Sequence, residues 1–221
     1  GGRQPDVARA EQPSEQRLQI FAAAHESVYR HQKREGYRDS FHEEYPDISM
    51  EIFQGTYDDV VYWIKNGVVD VGFLSVSSAA DIPIEPLYKD PLLCVVQKGR
   101  RTSKEPMSIE EMKNCQFVTQ RESTDADIQN FMKENHLDVR SSYHVVDDLS
   151  TVVMVANGFG ICLMPEMVMK DIPYEVDCFP VKPDACRIIG IAALNPDNMA
   201  PAVRTFYNRV LAMYQQEEYV K

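Results

Sequence analysis

Two histidines are each followed at once by glutamate, in His25-Glu26-Ser27-Val28-Tyr29 and His42-Glu43-Glu44-Tyr45-Pro46, which is how a zinc-protease helix begins. That chemistry needs a second histidine four residues after the first, so that both imidazoles share one helix face beside a glutamate base. Tyr29 and Pro46 stand there instead, and neither segment holds zinc in that way. Cys178 with Cys186, and His25 with His31, lack a closed metal spacing and read as structural thiols and surface imidazoles. Gly158-Phe159-Gly160 lacks the third glycine of a dinucleotide fingerprint and serves better as a helix stop before a buried strand. With no phosphate-cradling Gly-Lys-Ser/Thr loop and no Gly-x-Ser-x-Gly elbow either, no enzyme and no cofactor are expected.

The elements behind these residues follow a grammar of alternating strands and helices. From Leu18, strand-like and helix-like segments take turns, the mark of βαβ units feeding a mainly parallel sheet. Leu18 to Ala23 is the first strand, and Val28 to Glu44 is a polar helix with Tyr29, Tyr37, Phe41 and Tyr45 near helical spacing. Ile48 to Phe53 is the second strand. Thr56 caps a helix that runs to Asn66, with Asp58 and Asp59 in its first turn and Gly67 as its left-handed stop. Val68 to Leu74, Asp70 excepted, is a buried third strand. Beyond Pro83 and Pro86 lie a strand at Leu92 to Gln97, a capping box at Ser108-Ile109-Glu110-Glu111, a strand at Phe117 to Thr119, a helix at Ala126 to Asn135 and a strand at Tyr143 to Val146. Gly160 to Met164 with Pro165, strands near Val176 to Val181 and Arg187 to Leu194, and an amphipathic helix from Pro201 to Gln215 complete the chain. Asp58-Asp59 to Asn66-Gly67 is echoed by Asp147-Asp148 to Asn157-Gly158, which leaves duplication and coincidence both open.

Bulk properties narrow the function. The chain of 221 residues carries a formal net charge of -11, a field that repels phosphate backbones and makes it a poor nucleic-acid binder by itself. No apolar run approaches the roughly 18 residues of a membrane span. Five scattered cysteines, Cys94, Cys115, Cys162, Cys178 and Cys186, suit free thiols in a reducing cytoplasm. No secretory leader opens the sequence, and 1–16, too poor in apolar residues to pack, is read as a tag or linker remnant.

Several ordered landmarks then coincide. They are a Leu-x-Ile first strand, Phe41-x-x-x-Tyr45-Pro46, Gly55-Thr56, and Ile64-Lys65-Asn66-Gly67-Val68-Val69-Asp70-Val71-Gly72-Phe73. Pro86-Leu87-Tyr88 and Val155-Ala156-Asn157-Gly158-Phe159-Gly160-Ile161-Cys162-Leu163-Met164-Pro165 follow in order. Together they resemble the sensor domain of LysR-type transcriptional regulators from about Leu18 to Tyr214, although Phe21 stands where a glycine is common. The resemblance implies a type II periplasmic-binding-protein-like α/β fold, with two Rossmann-like lobes joined by crossover strands. The boundaries it suggests are 17–85 and 165–190 for lobe I with the C-terminal helix 200–215, and 86–164 for lobe II.

It also implies an effector in the crevice, outside the carboxyl ends of strands where helix N-termini present free N–H groups. Three segments fit that place: Ala24-His25-Glu26-Ser27, Gln54-Gly55-Thr56 and Gln120-Arg121-Glu122-Ser123-Thr124. Ser27 and Thr56 are the expected hydroxyl donors from the first lobe, with Ser123 and Thr124 facing them from the second, unless each merely caps its helix. Arg121 could clamp a carboxylate or phosphate, whereas Glu26 and Glu122 disfavour an anion. Ser75, at the crossover, and Asp148, at a helix start, are lesser candidates. Met154, Met164, Met167 and Met169 read as core, or as the lining of a cleft for an apolar effector.

The expected partners are a small-molecule effector, a second copy of the chain, and promoter DNA reached only through an N-terminal winged helix-turn-helix domain outside this sequence. By resemblance, copies pair head to tail into a homodimer and, at full length, a tetramer, with no membrane contact. The rival readings are a transporter's solute-binding protein and an enzyme on the same scaffold, such as a prephenate dehydratase-like domain.

Overall fold

The computed structural model describes residues 16–21, 41, 43–120, 126–137, 143–145, 147–170 and 172–216. The first lobe is built on three parallel strands, β1 (Gln16–Phe21), β2 (Ile48–Phe53) and β3 (Val71–Ser75), with β1 between the other two. Between β2 and β3 runs α1 (Tyr57–Lys65), whose Val60 and Ile64 are buried against the sheet. Gly72 lets them come close: a Cβ there would lie 2.6 Å from Val60 Cγ1 and 2.8 Å from Ile64 Cδ1.

β3 begins later than the apolar run at Val68 suggests. The amides of Val68 and Val69 turn back to the carbonyl of Trp63 at 2.8 and 3.4 Å. Val68 and Val69 are therefore spent on reversing the chain after Gly67, which sits at φ +66°. The helix expected at Val28 to Glu44 lies mostly outside the described residues, but Phe41, Glu43 and Glu44 are helical.

The strand expected at Leu92 to Gln97 is the second half of one long strand, β4 (Ile84–Gln97). Its prolines do not interrupt it. Pro86 sits where the register slips past Leu87, and Pro91 stands opposite Cys186 at the end of that ladder. Both are positions where proline's missing N–H does little harm. Up to Pro91, β4 pairs with β10 (Cys186–Ala192), which lies antiparallel to β3 in the first lobe. From Leu92 on it pairs with β8 (Cys162–Pro165) on one side and β9 (Val176–Lys182) on the other.

The second half holds β5 (Met107–Ser108) beside β9, and α2 (Ile109–Lys113), opened by the expected capping box at Ser108. Two short strands, β6 (Val118–Gln120) and β7 (Tyr143–Val145), pair in parallel, and a single bridge from Phe117 to Ile161 joins them to the approach of β8. Helices α3 (Ala126–Glu134) and α4 (Asp148–Ala156) flank them. A four-residue helix, α5 (Glu166–Met169), follows β8, and the terminal α6 (Pro201–Gln216) returns to the first lobe.

The buried apolar residues separate accordingly. One cluster joins Phe41, α1, β3, β10 and α6, with Phe206 edge-on to both Phe41 and Phe73 at 5.4 and 6.4 Å. Two more, around Phe117 and around Val152, are formed where helices of the second half pack on its strands. Met167 belongs to the first cluster and its neighbour Val168 to the third, so α5 straddles the seam. The result is an α/β fold of two lobes crossed by β4 and by the β9–β10 return. Among the described residues no helix is long and apolar enough to cross a membrane.

Candidate functional site

In the first lobe the carboxyl ends of β2 and β3 run into helix starts, and in the second lobe α3 and α4 are the next described elements after β6 and β7. At the end of β2, Gln54-Gly55-Thr56 leads into α1. Thr56 is its N-cap in a full capping box: the Asp59 amide donates to Thr56 Oγ1 at 3.2 Å, while the Thr56 amide and hydroxyl both donate to Asp59 Oδ2 at 2.8 Å. The hydroxyl's proton is thus engaged within its own helix, so Thr56 can offer a ligand only an acceptor lone pair. Gly55 is set by contact. A Cβ there would lie 2.7 Å from Trp63 Cη2 and 2.9 Å from Asp59 Cβ, so the indole of α1 packs on the loop backbone.

At the end of β3, Ser75 is fully buried and leads into a single 3-10 turn, Val76–Ser78. The Ser75 and Ser77 hydroxyls are 3.0 Å apart, and Ser77 Oγ donates to Asp127 Oδ1, in the first turn of α3, at 2.6 Å. A hydroxyl from one lobe is thereby bonded to a carboxylate from the other. Ser78 Oγ is buried with no hydrogen-bond partner among the described residues.

In the second lobe, Gln120 at the tip of β6 donates through Nε2 to Asp148 Oδ1 at the start of α4. The α4 cap itself is Asp147, which accepts from the Ser150 amide at 2.8 Å. Behind Gln120 a partly open pocket of about 350 Å³, open solvent included, lies between β6 and the helices. Ile128, Gln129 and Met132 of α3, Thr151 of α4 and Leu163 of β8 help to line it, and among the described residues no charged side chain does.

Of the expected site residues, Gln120 and Asp148 are brought into direct contact, and Ser75 is linked to the opposite lobe through Ser77. Gln54 is exposed beside Gly55 and Thr56. Ala24, His25, Glu26, Ser27, Arg121, Ser123 and Thr124 lie outside the described residues. Sequence reasoning missed Ser77, Asp127, Gln129 and Thr151. Ser77 and Asp127 could have been suspected, as a polar step after an apolar strand and an acid in a helix's first turn.

All five cysteines are free thiols, and burial pushes Cys94 up to about 12 and Cys162 well above the ordinary thiol range. Among the described residues no group of three or more His, Cys, Asp or Glu side chains is arranged to hold a metal.

Comparison with known proteins meets this geometry. The LysR substrate binding domain family matches residues 38–215. The chain belongs to that family. LysR substrate-binding domains are effector-binding regulatory modules of transcriptional regulators and are not enzymes. Among curated relatives, the HTH-type transcriptional regulator YoaU of Bacillus subtilis is 22% identical over 174 residues, or 76% of this chain. The chain spans 58% of that relative's length. Among solved structures, the Synechocystis PCC6803 CcmR regulatory domain in complex with 2-PG superposes with a TM-score of 0.80 at 16% identity, covering 91% of this chain and 98% of that one. The effector binding domain of QuiR in complex with shikimate gives 0.77 at 21% identity, covering 92% and 99%. At these identities the superpositions establish the fold, which is the two-lobed, type II periplasmic-binding-protein-like architecture of LysR substrate-binding domains.

Proposed function

We propose that this LysR domain binds a small organic effector in the crevice between its lobes, and that occupancy controls a transcription factor of which it is the sensing part. The observation that carries the reading is the Ser77–Asp127 hydrogen bond, which joins the two lobes where strand ends and helix starts from both face one another. Gln54, Gly55, Thr56, Ser75, Gln120 and Asp148 are assigned to the rim. Ala24, His25, Glu26, Ser27, Arg121, Ser123 and Thr124 complete the assignment from the segments that follow β1 and β6.

The mechanism requires differential affinity. An effector that prefers one spacing of the lobes shifts the population toward it, with a coupling of about 1–3 kcal/mol in typical cases, whereas equal affinity for both spacings moves nothing. Copies of the chain pair head to tail, and the change in lobe spacing alters how attached winged helix-turn-helix domains sit on promoter DNA in the cytoplasm. The chain's own net charge of -11 supports a division of labour in which DNA is contacted by another domain.

The test is a thermal-shift screen of small hydroxylated and acidic metabolites, with 2-PG and shikimate as the first probes. A ligand selective for the native state raises its apparent stability. The double variant Ser77→Ala, Gln120→Leu loses the shift of any hit while keeping its own cooperative transition. An unchanged shift in that variant removes the crevice from the reading.

A further inference from the structure

Asp90 and Arg187 are both fully buried and face each other across the β4–β10 ladder. Arg187 Nε donates to Asp90 Oδ2 at 2.9 Å, with Nη2 at 2.9 Å from the same oxygen. The pair stands one residue before Pro91, and it is at Leu92 that β4 exchanges β10 for β8 and β9 as its partners. On the first-lobe side Arg187 Nη1 donates to the Tyr57 hydroxyl at 3.2 Å. Tyr57 is the first residue of α1 and follows the Thr56 cap of the rim directly. On the other side Asp90 Oδ1 accepts the amide of Met167 at 2.9 Å, in α5, the helix that straddles the seam after β8.

Burying two charges is costly, and such a pair adds little net stability over a well-packed apolar substitute. Its usefulness lies in fixing geometry. A rigid guanidinium fork and a carboxylate with both oxygens engaged permit one arrangement of the four elements they touch. We propose that Asp90 and Arg187 are positioning residues for the effector crevice. They hold the first turn of α1, the crossing strands and the start of α5 as one body, so that a displacement of the Gly55-Thr56 rim is passed to the seam between the lobes. The proposal rests on the crevice being the effector site, but its physical content is a coupling between Tyr57 and Met167 that exists without any ligand.

Amide hydrogen exchange on the complete, ligand-free chain tests it. Tyr57→Phe deletes one hydroxyl and leaves the ring and the ion pair, so the chain should fold. The expected result is faster exchange, on the order of tenfold, at the amides of Val60 and Met167, with the α6 amides around Phe206 unchanged as the monitor of global opening. Asp90→Asn, which keeps the shape but weakens the link, should accelerate the same two amides, and the double variant should add little beyond the larger single effect. A Met167 amide indifferent to Tyr57→Phe overturns the proposal, as does strict additivity of the two variants. An effector screen that finds nothing would count against the crevice reading and leave this result standing.

Discussion

The Ser77 hydroxyl lies 2.6 Å from Asp127 Oδ1 and donates to it, so the turn that closes the first lobe's third strand is fastened to the first turn of a second-lobe helix. Ser77 itself is exposed, which keeps the energy of this bond modest, near 1 kcal/mol or below. Ser77→Ala should therefore barely move the urea midpoint. It should speed deuterium uptake in peptides from α3 and leave those from α6 unaffected, as measured by exchange mass spectrometry. Equal uptake in α3 would mean that the hydroxyl fastens nothing.

The Asp90–Arg187 pair should behave asymmetrically under mutation. Asp90→Ala leaves a fully buried guanidinium without its carboxylate and should cost about 3–5 kcal/mol. Replacing both partners, as Asp90→Leu with Arg187→Met, removes the stranded charge and should cost less than Asp90→Ala alone. Urea unfolding of the three proteins decides it.

Gly55 carries a steric requirement. Gly55→Ala places a methyl within 3 Å of Trp63 Cη2 and Asp59 Cβ. The added bulk in a packed contact should destabilise the domain by about 1–3 kcal/mol and disturb the Thr56 cap. A calorimetric midpoint unchanged from the parent protein would show that the loop yields without cost.

Glu111 gives a pH dependence. Hydrogen bonds from the Ser108 backbone, then from Arg101 and the Ser108 side chain, hold its carboxyl down at about 2. A carboxylate depressed in the folded state lends stability that is fully present above its unfolded value and lost as pH falls through the folded one. The loss therefore falls between the ordinary glutamate range and about pH 2. Solvent screening keeps the contribution small, since the side chain is half exposed. In Glu111→Gln, acid titration of unfolding should show a shallower decline over that interval.

Much of the architecture was legible because local chemistry and tertiary demand agree. Thr56 and Ser108 each cap the helix their spacing announces, and the Ile48–Phe53 alternation is the observed strand. The long strand was not. Pro86 reads locally as a boundary, yet it and Pro91 fall where the ladder needs no donor, and only the positions of β10 and β8 reveal that. The same holds for the polar centre of the molecule. Asp90 and Arg187 are 97 residues apart, and nothing in the chain near either marks it as the other's partner. Residue type and position named Gln120, at a strand end, and Asp148, at a helix start, and the fold brings the two into contact. That Ser77 and Asp127 are bonded to each other follows only from the fold, which brings two distant turns together.

The chain contains a single tryptophan, and Trp63 is the residue whose ring covers the backbone of Gly55. Nature has thus left an intrinsic fluorophore against the loop that we assign to the rim of the crevice, with no second indole to dilute its emission. Any occupant that shifts this loop reports itself by a change in wavelength or intensity, without labelling and whatever its own chemical identity.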